Sequence, residues 1–265
     1  MESVTIVQLT DTHFFGTPDG KLMGVDTAGS FRQVKDLVQR HQAAPDFYLL
    51  TGDLSQDETE NSYARFAEAI RDFKAPAYFL AGNHDARDSM HKAFENSGAP
   101  VRFEKHFVAG KWQVILLDTQ IPGEVGGRLS AAELKRLDKL LSDHADKHAL
   151  VTMHHHPVPV GSSWLDGIRV DNGAEFMAVL SKHQNVRGVL WGHIHQEFEG
   201  NRNGLRLLGT PSTCVQFKPK SADFALDSIP AGYRRLTLTP DGTIETAVLR
   251  VDKVADGLDF ASKGY

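Results

Sequence analysis

Five times along the chain a short apolar run stops at a polar turn that carries a carboxylate, an amide or an imidazole. Val4–Leu9 leads to Asp11-Thr12-His13, Phe47–Leu50 to Thr51-Gly52-Asp53, and Pro76–Ala81 to Gly82-Asn83-His84-Asp85. Leu150–Met153 leads to His154-His155-His156, and Val186–Trp191 to Gly192-His193-Ile194-His195. Short apolar runs without alternation read as strands covered on both faces, the pattern of parallel sheets. In open α/β sheets ligands bind outside the carboxyl ends of the strands. The repeated run-then-turn therefore predicts α/β layers with one polar site gathered along their strand ends.

Helical spacing fills the intervals. Phe31, Val34, Leu37 and Val38 share one face of a helix over 26–41, and 59–70 and 86–96 read the same way, the last with Gly98 as a stop. Ser130-Ala-Ala-Glu133 is a capping box ahead of inward-facing Leu134, Leu137, Leu140 and Leu141, and a further helix is expected over 172–183. Residues 14–25 read as a Gly-containing loop. Val101–Val108 and Trp112–Leu117, joined through Ala109-Gly110-Lys111, are expected to form a hairpin added to the sheet, with Trp112 on a candidate homodimer face. Leu205–Leu208, Tyr233–Leu238 and Thr243–Val251 are strands, the last two separated by a Pro240-Asp-Gly242 turn. With no linker or repeat, one domain over 1–252, a two-sheet sandwich flanked by helices, with a tail over 253–265, is the expected organisation.

Composition narrows the partners. A hydrophobic content of 41%, a charged content of 24% and a formal net charge of −5 describe a soluble globular chain without the basic footprint that nucleic acid requires. The single cysteine, Cys214, has no internal disulfide partner and reads as a buried, inert thiol suited to a reducing compartment. Met1-Glu2-Ser3 lacks a basic n-region, and no stretch reaches the length of a membrane span, so a cytoplasmic protein acting on a small molecule, with no membrane or nucleic-acid partner, is expected.

The strand-end turns offer seven metal ligands: Asp11, His13, Asp53, Asn83, His154, His193 and His195. One hydrolytic ion typically needs three, so the set fits two ions sharing a carboxylate, with Asp53 the candidate bridge. Two ions roughly 3.5–4 Å apart can clamp the attacking and leaving oxygens of a displacement at phosphorus and lower the pKa of bound water. Asp-x-His and His-x-His at an extended strand end would project both side chains the same way. His84 would then face substrate and act as general acid for an alkoxide leaving group. In the triple histidine, His154 and His156 share a side, and His155 either lines the pocket or is solvated. Trp164 either stacks on a nucleobase or anchors its loop, with the anchor favoured. His41, His91, His106, His144, His148 and His183 read as surface residues.

Asp-x-His, Gly-Asp, Gly-Asn-His-Asp, His and Gly-His-x-His, in that order, resemble the calcineurin-like metallophosphoesterase superfamily. Leu9-Thr-Asp-Thr-His13, His154-His-His-Pro-Val-Pro159, Ser163-Trp-Leu-Asp166 and Thr210-Pro-Ser-Thr-Cys-Val-Gln-Phe-Lys218 bring the match to its class III cyclic-nucleotide phosphodiesterases. The resemblance implies a four-layer α/β/β/α sandwich of two mixed sheets between helices. It implies one ion on Asp11, His13, Asp53 and His195 and a second on Asp53, Asn83, His154 and His193, with the family position selecting His154 from the triple. It suggests iron or manganese, which the affinity order of divalent metals alone would not favour. It places the substrate phosphate over His13, Asp53, Asn83, His84 and His195. The implied reaction converts 3′,5′-cyclic AMP to 5′-AMP by attack of a metal-bridging hydroxide, with His84 protonating the 3′-oxygen, and would lower cellular cyclic AMP. A broader phosphoesterase and a catalytically inactive nucleotide-binding module are the competing readings. One departure stands out. Many relatives carry an acid three residues after the bridging aspartate to orient the general-acid histidine. Here that position is Gln56, with Asp57 beside it.

Overall fold

The computed structural model describes residues 2–41, 45–95 and 97–264. In chain order the first half runs β1 (Val4–Leu9), β2 (Lys21–Leu22), β3 (Val25–Asp26), α1 (Thr27–His41), β4 (Phe47–Thr51), α2 (Glu60–Ala69), β5 (Ala77–Leu80), α3 (Arg87–Glu95) and β6 (Val101–Arg102). It continues with β7 (His106–Ala109), β8 (Trp112–Leu116), α4 (Ala131–Asp143), β9 (His148–Met153), α5 (Ser163–Asp166), α6 (Gly173–Leu180) and β10 (Val186–Trp191). The chain closes with β11 (Phe198–Arg202), β12 (Leu205–Gly209), β13 (Gly232–Leu238) and β14 (Ile244–Arg250).

Two six-stranded sheets result, ordered β14-β13-β1-β4-β5-β6 and β11-β12-β10-β9-β8-β7. Strands β1, β4, β5 and β6 of the first sheet and β8, β9, β10 and β12 of the second pair in parallel, while β13 and β14 of the first and β7 and β11 of the second pair antiparallel. The central strands are mostly apolar because each faces two cores, with a few buried polar exceptions such as Gln8, Gln113 and Thr152. In β4, Phe47 and Leu49 pack between the sheets with Leu150 and Leu190, while Tyr48 and Leu50 turn toward α1 and α2. In β9, Leu150 points inward, and Val151 and Met153 meet Leu137 of α4 and Phe176 of α6. Three apolar layers, one between the sheets and one under each set of helices, make the α/β/β/α sandwich. Every fully buried Leu or Phe in them contributes roughly 1.5–3 kcal/mol.

Several expectations need correction. The run 101–108 is not one strand: Val101–Arg102 closes the edge of the first sheet beside β5, and His106–Ala109 opens the second sheet beside β8. Residues 103–105 cross between the sheets, anchored by Lys105, whose Nζ donates to Phe79 O at 2.5 Å. Trp112 is 1% exposed and its indole N–H donates to Thr239 O across the sandwich, so the candidate dimer face has no tryptophan. Residues 14–25 are not all loop, since β2 pairs with β3. Strand β11 had no apolar run to reveal it: it is an edge strand with much of its length exposed. The capping box is half formed. Ser130 Oγ accepts from Glu133 N, but the Glu133 carboxylate pairs with Arg136 and accepts from Asp118 N.

Of the six histidines read as surface, only His41 is exposed; His106, His148 and His183 are half-buried and bonded to Gln113, Pro240 O and Asp138. Trp164 packs edge-on against Phe217 and Phe224, anchoring its loop. The C-terminal tail lies on the β2–β3 segment: Asp259 N–H donates to Met23 O, and Ala255 and Leu258 pack on the second sheet's outer core. Asn96 of the expected third helix and Tyr265 of the tail lie outside the described residues. Among the described residues no helix is long and apolar enough to cross a membrane.

Candidate metal centre

All five polar turns meet at one edge of the sandwich, where the two sheets' strand ends face each other. Asp11, His13, Asp53, His154 and His195 are fully buried and His193 nearly so. His13 Nε2 and His195 Nε2 approach to 3.2 Å, with Asp11 Oδ1 3.5 Å from His195 Nε2 and Asp53 Oδ2 3.8 Å from His13 Nε2. On the other side of Asp53, His154 Nε2 lies 3.3 Å from Oδ2 and 3.1 Å from Asn83 Oδ1. Asp53 therefore stands between two groups of donors. The clusters Asp11–His13–His195, Asp11–Asp53–His154 and His154–His155–His193 each place three ligand atoms within 4.8 Å of one another.

The backbone that builds this is not the extended one expected. Asp11, His13, Asp53, His193 and His195 all have φ between 47° and 65°. That region is sparsely populated by residues with a side chain and costs of order 1–3 kcal/mol each. Same-side projection of Asp11 and His13, and of His193 and His195, thus comes from left-handed kinks and not from strand alternation. Gly82 serves close approach: a Cβ there would lie 2.1 Å from Asp53 Oδ1. Gly52 combines φ of 94° with a Cβ position 2.5 Å from His154 Nδ1.

Second contacts fix the imidazoles. His154 Nδ1–H donates to Thr51 O at 2.8 Å, and His195 Nδ1–H to Val215 O at 2.9 Å, so both Nε2 lone pairs face the carboxylates. An imidazole lone pair set against carboxylate oxygen is repulsive unless a proton or a metal ion lies between them. His193, 1% exposed, has no hydrogen-bond partner on either ring nitrogen among the described residues. Burial pulls His13 and His193 well below the usual histidine range, which favours the neutral, ligating form. Burial would raise the Asp53 carboxyl, but the imidazoles of His154, His84 and His13 hold it well below the usual carboxylate range. These donors fit metal ions.

The remaining candidates sort clearly. His84 stands over the cluster, its backbone N–H donating to Asp53 Oδ1 at 2.9 Å and its ring edge-on to His13 at 5.3 Å. An open cleft of about 670 Å³ begins at Asn83 and His84. His155 is neither solvated nor pocket-lining: it is fully buried, with Nδ1 on Thr119 Oγ1 and Nε2 on Val125 O. His156 is buried and turns to Asp166, 3.7 Å away. Asp57 is committed to its own loop, accepting from Gly16 N, Thr59 N and Thr59 Oγ1, so it does not replace the missing acid. Gln56 is instead a polar neighbour of His13.

Two supports had no assigned role in the sequence. Asp85 accepts from Gly82 N, Leu54 N, Ser55 N and Tyr63 Oη, stapling the Asp53 turn to the Asn83 turn. Residues 212–217 cradle the first ligands: Ser212 Oγ–H donates to Asp11 O at 2.7 Å, and Phe217 stacks on His195 at 4.1 Å. Cys214, in the same stretch, is buried with its thiol pushed up to about 12 by burial, an inert group as expected.

A dinuclear-type ligand cluster at the strand ends of an α/β/β/α sandwich defines a metallophosphoesterase. Residues 4–197 match the calcineurin-like phosphoesterase family, and the chain belongs to it. It is 44% identical to the 3′,5′-cyclic adenosine monophosphate phosphodiesterase CpdA of Pseudomonas aeruginosa, over 99% of this chain and 96% of that protein. It is 43% identical to the CpdA of Escherichia coli K12 over 99% and 95% of the two chains. A dimetal phosphatase from Danio rerio shares the fold at a TM-score of 0.68 and 15% identity, covering 95% of this chain and all of that one.

Proposed function

We propose that the chain hydrolyses 3′,5′-cyclic AMP to 5′-AMP in the cytoplasm and so lowers cellular cyclic AMP. The observation that carries the reading is the cluster of six buried aspartates and histidines, with half-buried Asn83 beside it, opening at Asn83 and His84 onto a ligand-sized cleft. The names of the full-length relatives support the substrate. Asp11, His13, Asp53 and His195 would hold one ion and Asp53, Asn83, His154 and His193 the other, iron or manganese being the proposed metals. When bound, such ions supply a low-pKa water and offset charge on the phosphoryl oxygens. The chain does the rest. Asp53 separates and orients the two ligand groups, and Asn83 and His84 present their side chains to the phosphate side. The His84 imidazole protonates the departing 3′-oxygen, a poor leaving group as the free alkoxide.

Purified protein stripped of metal is expected to release no 5′-AMP and to regain activity with manganese or iron. His84→Ala should lower kcat for cyclic AMP by about 10²–10⁴-fold and affect a diester with a p-nitrophenolate leaving group far less. An unchanged kcat would remove the proton-transfer role.

Metal uptake should also be coupled to protons. Burial pulls His154 down, but the Asp53 carboxylate overrides it and takes the metal-free imidazole up to about 9. A cation bound through His154 must displace that proton at any pH below about 9, so affinity falls as pH falls, about tenfold per unit from this group. Calorimetry at pH 7.5 in buffers of different ionisation enthalpy should read about one proton released. Affinity independent of pH between 6 and 8 would take His154 out of the ligand set.

A further inference from the structure

The cleft beside His84 has a wall built from the other sheet. Gln120 and Gly127 pair as an antiparallel bridge, closing 121–126 into a tight tip, and Glu124 N–H donates to Ile121 O within it. Both ends of this loop are tied to the catalytic machinery. Gln120 Nε2 donates to Gly82 O at 2.8 Å and to Asp85 O at 2.6 Å, gripping the carbonyls on either side of the Asn83-His84 pair. Arg87 reaches Gln120 O and Asp118. At the far end Val125 O accepts from His155, whose ring is wedged 4.6 Å from His193 and 4.8 Å from His154. Gly127 is small because a Cβ there would strike the His155 ring at 2.5 Å.

The anchored loop holds an apolar side chain outward. Val125 is 53% exposed although its carbonyl is pinned to a buried histidine. It and Pro122 line the same cleft as Asn83 and His84, with the carboxylates of Glu58 and Glu124 at the rim. A flat heterocycle entering from the phosphate side meets apolar surface for its face and acceptors for its N–H and ribose O–H donors. A rigid wall of this kind binds without an ordering cost.

We propose that the 120–125 loop is the nucleoside subsite, with Pro122 and Val125 contacting the base and Gln120 holding that subsite in register with His84. This rests on the cyclic-nucleotide reading above. Binding energy from the non-reacting nucleoside would thereby be delivered to a turn that carries the general acid.

The test compares kcat/KM for cyclic AMP with kcat/KM for methyl p-nitrophenyl phosphate, a diester without a nucleoside, in manganese-loaded enzyme. Val125→Asp should lower the ratio of the two about tenfold, mostly through KM for cyclic AMP, and Val125→Leu should keep it. Metal content per chain, by elemental analysis, should stay at the wild-type value in both variants. A ratio unchanged in Val125→Asp, with cyclic AMP still hydrolysed, overturns the subsite alone. Wild-type enzyme that cleaves the simple diester and ignores cyclic AMP overturns the reaction and the nucleoside occupant together.

Discussion

Asp53→Asn is expected to abolish cyclic AMP hydrolysis, by about 10³-fold or more, while leaving the metal-free protein folded. Asp53 Oδ2 lies near both ligand groups, 3.8 Å from His13 and 3.3 Å from His154, and Oδ1 accepts the His84 backbone N–H. An amide keeps the volume but lacks the charge that would be shared by two cations. In the metal-free protein the carboxylate is fully buried, and its attraction to neighbouring imidazoles is set against a desolvation cost. Because the imidazoles hold that carboxyl below its usual range despite burial, the attraction outweighs the cost, and the variant's apparent melting temperature without metal should lie below that of wild type. The stabilisation that metal adds to wild type, which grows with the ratio of metal concentration to Kd, should largely vanish. Elemental analysis should count fewer than two ions per chain. Two ions and near-normal turnover in Asp53→Asn would overturn the bridging assignment.

What the residues revealed in advance, and what they concealed, has a physical basis. The seven candidate ligands stand out in the sequence because parallel strands buried on both faces are mostly apolar, so a polar turn after each run is conspicuous. The pairing of the sheets is not. A chain that leaves one sheet at Arg102 and enters the other at His106 reads as one uninterrupted strand, because both pieces have strand-like composition. Strand β11, half polar on an edge, gave no run at all. The left-handed φ at Asp11, His13, Asp53, His193 and His195 had no sequence signal beyond the flanking glycines at 52 and 192. Supports that act through backbone groups were equally hidden. Gln120 and Asp85 hold the turn at Asn83 and His84 by bonding main-chain atoms, and a main-chain partner leaves no residue type to recognise.

Asp85 shows how much such a support carries. Asp85→Ala is expected to cost about 3 kcal/mol or more of stability, and Asp85→Asn less, by an amount that grows as pH falls below about 7. The residue is 3% exposed, and three backbone N–H groups and the Tyr63 hydroxyl converge on its two oxygens. Alanine leaves those buried donors unsatisfied, each at roughly 1–3 kcal/mol before water or relaxation recovers a part. Asparagine keeps one oxygen but turns an amide N–H₂ toward donors. Burial, and then the Asp53 carboxylate, push Asp85 up to about 7, against the pull of the N–H groups of Gly82, Ser55 and Leu54. A carboxyl raised in this way favours the fold when protonated and loses that contribution as pH rises through about 7, so the asparagine penalty is largest below about pH 4 and smallest at pH 8. The function should follow. Leu54 and Ser55 come directly after Asp53, and Gly82 directly before Asn83, so losing the staple loosens both ligands together. Metal affinity is expected to fall about 10–100-fold, the usual cost of removing a group that orients ligands. Thermal unfolding of the metal-free proteins reads the first effect and metal titration the second. A stable Asp85→Ala protein with wild-type metal affinity would show that the two turns hold their geometry without the carboxylate.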